Sequence, residues 1–145
     1  MSATTPFVIE RTLNSPIAAV WAAITESERM KNWYFDLPGF TPEVGYEFSF
    51  TGGPEDRQYL HLCKITEVIP GKKLAYTWRY DGYPGSSLVT FELFEEGNST
   101  RIKLTHSGLE TFGTDNPDLA PHNFAAGWNA IIGTSLPGYI DSLAK

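Results

Sequence analysis

The sequence predicts an α+β fold in which a strongly curved antiparallel β-sheet of about six strands wraps around a long C-terminal helix, with two short helices after strand one. Two observations carry this prediction. Alternating segments joined by short turns follow one another through the middle of the chain, as in an antiparallel meander. The last part of the chain returns to the helical spacing of apolar residues. With 145 residues, the chain is expected to form a single domain over residues 1–145.

The first strand and the helix pair are predicted near the N-terminus. Phe7 to Leu13 alternates between apolar and polar residues and is followed by Asn14, Ser15 and Pro16, which predict a capped helix start. Apolar residues recur at helical spacing within residues 17–25. Residues 25–28 interrupt them and predict the cap of a second short helix that carries Met30 and Trp33. Trp21 and Trp33 are expected to anchor the packing of this pair.

Five more strands are predicted from period-two alternation, which places every second side chain on the inner face of the sheet. The register is least certain in the strand from Gln58 to Ile69, because both of its faces are partly apolar. Turns rich in Gly, Pro, Asp and Asn separate the strands. In the strand from Gln58 to Ile69, Tyr59, His61, Cys63 and Ile65 share one face and Leu60 and Leu62 the other, and the inward face stays open. The residues predicted to face inward in the other strands are Val44, Tyr46, Phe48, Phe50; Leu74, Tyr76, Trp78, Tyr80; Val89, Phe91, Leu93; and Ile102, Leu104, His106.

The C-terminal helix is predicted to run for about 24 residues, or roughly 36 Å, which is long enough to cross the whole sheet. Gly127, Gly133 and the pair Pro137-Gly138 are poor helix formers, so a kink is expected near Thr134 to Leu136. The apolar residues at helical spacing are Phe124, Trp128, Ile131, Ile132, Leu136, Tyr139, Ile140 and Leu143.

Composition and charge exclude several classes of function. The formal net charge of −6 gives nucleic acid no electrostatic reason to bind. No segment approaches the ~20 apolar residues that span a bilayer, and the first residues lack a secretory signal, so a cytoplasmic protein without a membrane span is expected. Cys63 is the single cysteine and lies in an apolar strand, where a buried, unreactive thiol is expected.

Few residues offer catalytic chemistry. The chain has no nucleophile elbow and no phosphate loop, its three histidines are too scattered for a zinc site, and neither cofactor nor metal is expected. His106 is the one weak catalytic candidate, as a general base. The alternative, for His106 and for His61, is a hydrogen-bonded structural histidine. Acidic residues of the turns, namely Asp56, Glu95 and Glu96, are expected to be solvated.

An aromatic set on the inward faces predicts a binding site. Apolar walls with a few phenol and indole donors are typical of small-molecule sites. The alternative is an ordinary packed core, which also contains inward aromatic residues. The residues predicted to line the site are Tyr46, Phe48, Tyr76, Trp78, Phe91, His106, Trp128 and Ile132.

The order of elements resembles the helix-grip architecture of the START and birch-pollen-allergen superfamily. Four segments are similar to the activator of heat-shock-protein ATPase homologue family, in the family's order and over about residues 7–143. They are Val20-Trp21-Ala22-Ala23-Ile24-Thr25 with Met30 and Trp33; residues 65–70 through 74–78; residues 89–93 through 100–108; and Gly127-Trp128. The last helix departs from the family's regular amphipathic run at Gly133 and Pro137-Gly138.

This resemblance implies three functions between which the fold does not choose. The wider superfamily holds lipid carriers, hormone receptors and polyketide cyclases that use the cavity between sheet and helix, which implies binding of a small hydrophobic molecule or lipid. Eukaryotic family members stimulate a heat-shock chaperone's ATPase, which implies a chaperone partner and a stress-response setting. A cyclase- or hydrolase-type enzyme using His106 and a tyrosine is the third. The sequence leaves the oligomeric state open.

Overall fold

A computed structural model describes residues 6–34, 37, 40–52, 59–83, 85–112 and 121–143. Its six strands form one antiparallel sheet in the order β1-β6-β5-β4-β3-β2. Strands β2 to β6 are neighbours in chain order, and β1 pairs with β6, which confirms the predicted meander and the α+β class. The strands are β1 Phe7–Leu13, β2 Glu47–Gly52, β3 Tyr59–Ile69, β4 Lys73–Tyr80, β5 Ser87–Glu96 and β6 Ser99–Ser107.

The helices lie between β1 and β2 and after β6. Helix α1 (Ile17–Thr25) and helix α2 (Ser27–Met30) form the predicted pair, and a short 3-10 helix (Leu109–Phe112) follows β6. The terminal helix consists of α3 (Pro121–Ala130), a π-helical segment (Ile131–Ser135) and α4 (Leu136–Leu143). The sheet curves around this long helix, so the predicted architecture is confirmed.

The structure settles the register of β3. Tyr59, His61, Cys63 and Ile65 are buried, whereas Leu60 on the other face is 40% exposed. A register shift between Ile65 and Glu67 marks a β-bulge, a feature that bends a strand and increases its local twist.

The inward assignment of Val44 is wrong. Val44 precedes β2 in a turn and is 66% exposed. Gly45 follows it with a φ of 93°, a conformation that favours glycine, and the Gly45 amide donates to the Ile65 carbonyl. The alternation of β2 therefore starts only at Tyr46.

The predicted helix caps do not form. The carbonyl of Pro16 accepts the amides of Ala19 and Val20, so Pro16 itself occupies the N-cap position, and no side chain caps α1. Ser15 is instead buried, and its carbonyl accepts the Thr100 hydroxyl at 2.8 Å. Tertiary contact with β6 thus replaces the local cap.

Helix α2 is also without a side-chain cap, and Trp33 lies in the turn after it rather than within it. The Trp33 side chain is nevertheless buried, and its indole N–H donates to the carbonyl of Ala23 at 2.9 Å. Trp33 is therefore the packing anchor that the sequence predicts. Trp21 packs against the core as a half-buried residue.

The terminal helix departs from α geometry in the π-helical segment Ile131–Ser135, which overlaps the predicted kink at Thr134 to Leu136. The Leu136 amide donates to the carbonyl of Ile131, five residues back, which is π-helical hydrogen bonding. Pro137 has no amide to donate to the preceding turn. A Cβ atom at Gly133 would lie in ordinary contact with the guanidinium of Arg11 on β1, which places this segment beside β1.

The two faces of the sheet differ in chemistry. The inner face and the terminal helix enclose the core, in which Tyr76, Leu104 and Ile132 are completely buried. On the outer face, the Arg101 guanidinium bridges Glu10 and Glu96 and lies over the ring of Phe94. Glu95 and Glu96 are exposed, as predicted, whereas Asp56 lies outside the described residues.

Candidate ligand-binding site

The predicted site residues lie between the inner face of the sheet and the terminal helix. Tyr46 precedes β2, and Phe48 lies on it; both are half-buried. The other six are buried, on β4, β5, β6, α3 and the π-helical segment: Tyr76, Trp78, Phe91, His106, Trp128 and Ile132. The sequence therefore identified side chains that face one interior.

Most of these side chains form one continuous series of ring contacts. The ring centroids are 5.1 Å apart for Phe48 and Tyr76, 6.0 Å for Tyr76 and Phe91, and 6.2 Å for Phe91 and Trp128. Trp128 also meets Trp78 at 5.8 Å. Five of the eight predicted residues therefore belong to one packed series of rings.

His106 is the centre of a buried hydrogen-bond chain, called here the histidine cluster (Trp78, Ser87, His106 and Trp128). The Trp128 indole N–H donates to Nδ1 of His106 at 2.9 Å, and Nε2 of His106 lies 2.6 Å from Oγ of Ser87. The Ser87 hydroxyl donates to the carbonyl of Trp78 at 3.1 Å. The chain joins the terminal helix to β4, β5 and β6.

The directions of these hydrogen bonds fix the protonation of His106. An indole nitrogen can only donate, so Nδ1 of His106 is an acceptor, and its single proton is on Nε2, pointing at Ser87. Burial lowers the pKa of His106 to about 3, which also keeps the ring neutral.

A serine beside a histidine is also the geometry of an activated nucleophile, but here the proton points the wrong way. In such a pair the histidine accepts the hydroxyl proton. In this protein Nε2 donates to Ser87, and the lone pair on Nδ1 is occupied by Trp128. The geometry therefore favours the structural interpretation of His106 over the general base.

A second buried polar group, the phenol pair, consists of Tyr34 and Tyr76. Their hydroxyl oxygens are 2.6 Å apart, and burial raises the pKa of both phenols well above the usual value. Within the described residues, the hydroxyl of Tyr76 has no second hydrogen-bond partner. A hydroxyl can donate once and accept twice, so Tyr76 keeps unused hydrogen-bonding capacity inside an apolar wall.

Sequence reasoning missed Tyr34 and Ser87. Tyr34 follows α2 at a spacing of four residues from the buried Met30, and its amide donates to the Met30 carbonyl at 2.7 Å. That spacing is the signal that could have identified it. Ser87 offered no comparable signal, because its strand was recognised only from Val89 onward.

Two other candidate reactive groups are also buried. His61 is buried against Phe50, with ring centroids 4.4 Å apart, and burial lowers its pKa. Burial raises the pKa of the Cys63 thiol to about 12, so it stays protonated at neutral pH. The prediction of a buried, inert cysteine is confirmed.

Two surface grooves lie away from the eight predicted residues. One, of about 720 Å³, is at one end of the sheet and is lined by Ile17, residues 69–73 and residues 92–95. The other, of about 470 Å³, lies beside Trp21, residues 25–28, Phe40 and Pro42. Among the residues that the structure describes, no group of His, Cys, Asp and Glu side chains could hold a metal ion, and no helix is long and apolar enough to cross a membrane.

A curved antiparallel sheet that holds a long C-terminal helix over an aromatic interior defines a helix-grip protein. Residues 14–141 match the sequence model of the family described as activator of Hsp90 ATPase homolog 1-like protein. The chain therefore belongs to this family, as its sequence segments indicated. A search of curated proteins finds no match.

Solved structures support the same fold. Protein MLL2253 from Mesorhizobium loti is 26% identical, with a TM-score of 0.75 over 95% of this chain and 98% of that one. Bacillus halodurans protein BH1534 is 26% identical, with a TM-score of 0.76 over 97% of this chain and 99% of that one. CalU16 from Micromonospora echinospora, at 24% identity, has a TM-score of 0.73 over 93% of this chain and 75% of that one.

Proposed function

We propose that the protein binds a small hydrophobic molecule or lipid between the inner face of the sheet and the terminal helix, in the cytoplasm. The observation that carries this proposal is the phenol pair, where the buried hydroxyl of Tyr76 keeps hydrogen-bonding capacity, among the described residues, within an aromatic wall. A largely apolar site with one or two polar groups that fix orientation is typical of small-molecule pockets.

The position of the half-buried side chains supports access from one side. Tyr46 and Phe48 lie on or beside β2, an edge strand, and Tyr34 follows α2. All three reach solvent in part, while Tyr76 and Trp128 behind them are buried. A ligand that enters here first meets aromatic surface and then the phenol hydroxyls.

Titration with a panel of apolar ligands tests the proposal. The panel includes fatty acids and neutral ring compounds, so that lipids and compact molecules are distinguished. Binding should change the tryptophan emission, because Trp78 and Trp128 belong to the ring series. The Trp21→Phe variant removes a tryptophan that lies in a surface groove and so makes the signal report on the interior.

The same titration should shift amide resonances of β2, β4 and α3 in NMR spectra. A panel that changes neither emission nor amide shifts at ligand concentrations up to solubility argues strongly against binding. If the emission changes persist in Trp21→Phe but the amide shifts are confined to the outer face of the sheet, the ligand binds outside the proposed site.

A second candidate function, interaction with a heat-shock chaperone, is favoured by the larger surface groove. Ile69 and Phe94 line it and are 42% and 37% exposed, and Lys72 and Glu95 lie beside them. Apolar surface with flanking charges is a common feature of protein interfaces. Retention of the chaperone by immobilised protein, and stimulation of its ATPase, would support this function, and an Ile69→Asp/Phe94→Asp variant should lose both.

A further inference from the structure

Tyr34 differs from the other rings of the interior in its origin. Among the described residues, its ring meets Trp33 beside it, Phe50 of the sheet and Trp128 of the terminal helix, whereas Tyr34 itself comes from the turn after α2. Its ring is stacked on Trp128 with an interplanar angle of 21° and a centroid distance of 6.1 Å. Tyr34 thus reaches across from the helix pair and fills space between sheet and terminal helix.

The contacts of Tyr34 are those expected of a bound ring compound. Its hydroxyl is 2.6 Å from the hydroxyl of Tyr76, and Phe50 meets its ring at 6.3 Å with an angle of 59°. Tyr34 is half-buried, whereas Phe50, Tyr76 and Trp128 are buried. Its side chain therefore lies between these three residues and solvent.

We infer that Tyr34 occupies the ligand's place, and that a ligand binds by displacing it and taking over its hydrogen bond to Tyr76 and its stacking on Trp128. This inference rests on the proposed function and names the ligand class: a flat ring with a hydroxyl or carbonyl oxygen at its edge. The ligand is uncharged, because the polar side chains buried in the described part of the chain are hydroxyls and neutral imidazoles.

The exchange replaces like with like at two contacts. The displaced tyrosine and the arriving ring each make one neutral hydrogen bond to Tyr76 and one stacking contact with Trp128, while Tyr34 also gives up its ring contacts with Trp33 and Phe50. The net affinity then comes from apolar surface of the ligand beyond its first ring.

Removal of the Tyr34 side chain tests the inference, with p-cresol and toluene as probes. In Tyr34→Ala, p-cresol should bind about tenfold or more tightly than to the wild type, and about fivefold more tightly than toluene, since only p-cresol can bond Tyr76. The preference for p-cresol should vanish in Tyr34→Ala/Tyr76→Phe. Tyr83→Ala is the matched control, because Tyr83 is 44% exposed, and it should behave as wild type.

Equal affinity of both probes for folded Tyr34→Ala, or no binding of either, overturns the inference. If Tyr34→Ala does not fold, Tyr34→Phe serves instead: it frees the hydroxyl of Tyr76, and p-cresol should bind it about threefold more tightly than the wild type. If Tyr34→Phe binds p-cresol no more tightly than the wild type does, the inference is overturned as well.

Fluorotyrosine NMR separates failure of this inference from failure of the proposed function. The fluorine resonance of Tyr34 is assigned as the one that is missing from the spectrum of Tyr34→Phe. If a panel ligand binds the wild type and this resonance does not move, the proposed function stands and the inference is overturned. The opposite result is also possible: Tyr34→Ala binds p-cresol more tightly than toluene, but the wild type binds no panel ligand. Tyr34 then occupies the site as inferred, and the proposed function is removed.

Discussion

The histidine cluster and the phenol pair are both buried polar groups between the sheet and the terminal helix, but they are built differently. In the histidine cluster, Trp128, His106 and Ser87 each donate to the next member, and the chain ends on a backbone carbonyl. In the phenol pair, either oxygen can be the donor, and Tyr76 has capacity left. The hydrogen-bond donors of the histidine cluster are therefore fixed, whereas either phenol of the pair can be the donor.

This difference separates a structural group from a recognition group. A buried network in which each donor has one acceptor is rigid, and losing a member leaves its neighbours unpaired at a cost. A pair with spare capacity can accept a ligand atom without such a loss. Variants of the histidine cluster should therefore lose more stability than variants of the phenol pair.

Trp128→Ala should have the largest effect. It removes the donor to His106 and a large buried ring from the centre of the ring series, so we expect a loss of about 4 kcal/mol in the free energy of unfolding. Urea denaturation measures it. Trp21→Ala, which removes a half-buried indole from α1, is the control and should cost clearly less; equal losses would contradict a central role for Trp128.

Acidification should destabilise the protein through His106. The folded pKa of about 3 lies below the ordinary value of 6.5, so below pH 6.5 the unfolded chain binds a proton that the folded protein does not. Stability is then full above pH 6.5 and falls by up to about 1.4 kcal/mol per pH unit as the pH drops toward 3. Between pH 6.5 and 5, we expect a loss of about 2 kcal/mol.

The pH dependence of urea denaturation in His106→Gln isolates this contribution. Its stability should fall less steeply than that of the wild type over the same range. His61→Gln, in which the second buried histidine is replaced, should keep the contribution of His106. If wild type and His106→Gln show equal slopes, His106 is not held neutral by the fold.

Ser87→Ala should cost about 2 kcal/mol, because it leaves the Nε2–H of His106 buried without an acceptor. Ser86→Ala replaces the exposed neighbour and should change stability by no more than about 0.5 kcal/mol. A Ser87→Ala variant as stable as Ser86→Ala would show that the chain of hydrogen bonds ends at His106.

Tyr76→Phe should have the smallest effect, about 1 kcal/mol, because only one neutral hydrogen bond of the phenol pair is lost. Thermal unfolding measures it, with Tyr83→Phe as the control for removal of an exposed hydroxyl. A loss larger than that of Ser87→Ala would break the distinction between the two groups, since it would make the phenol pair the more tightly built of the two.

Much of the fold could be predicted because period-two and helical spacing reflect which side chains must leave water. The alternation of β4 and β6 placed Tyr76, Trp78 and His106 inside without any knowledge of their partners. The same rule failed at Val44, where Gly45 turns the chain before β2 begins. Alternation describes a strand and cannot locate the turn that starts it.

The candidate site was predictable as a set of residues but not as a set of partners. Inward faces identified Trp128 and His106, while the hydrogen bond between them depends on where α3 crosses β6. The pairing of Tyr34 with Tyr76 was not predictable, because the two residues are 42 positions apart and no local pattern joins them. The chemistry of His106 changed from candidate base to structural acceptor only through such a distant contact.

Local periodicity and composition were enough to predict the α+β class, the meander of strands and the aromatic character of the interior. The pairing of β1 with β6, the proton position on His106, the π-helical segment and the place of Tyr34 beside Tyr76 follow from tertiary contacts. Those features arise between residues distant in the chain, whose meeting is set by how the terminal helix and the helix pair pack on the sheet.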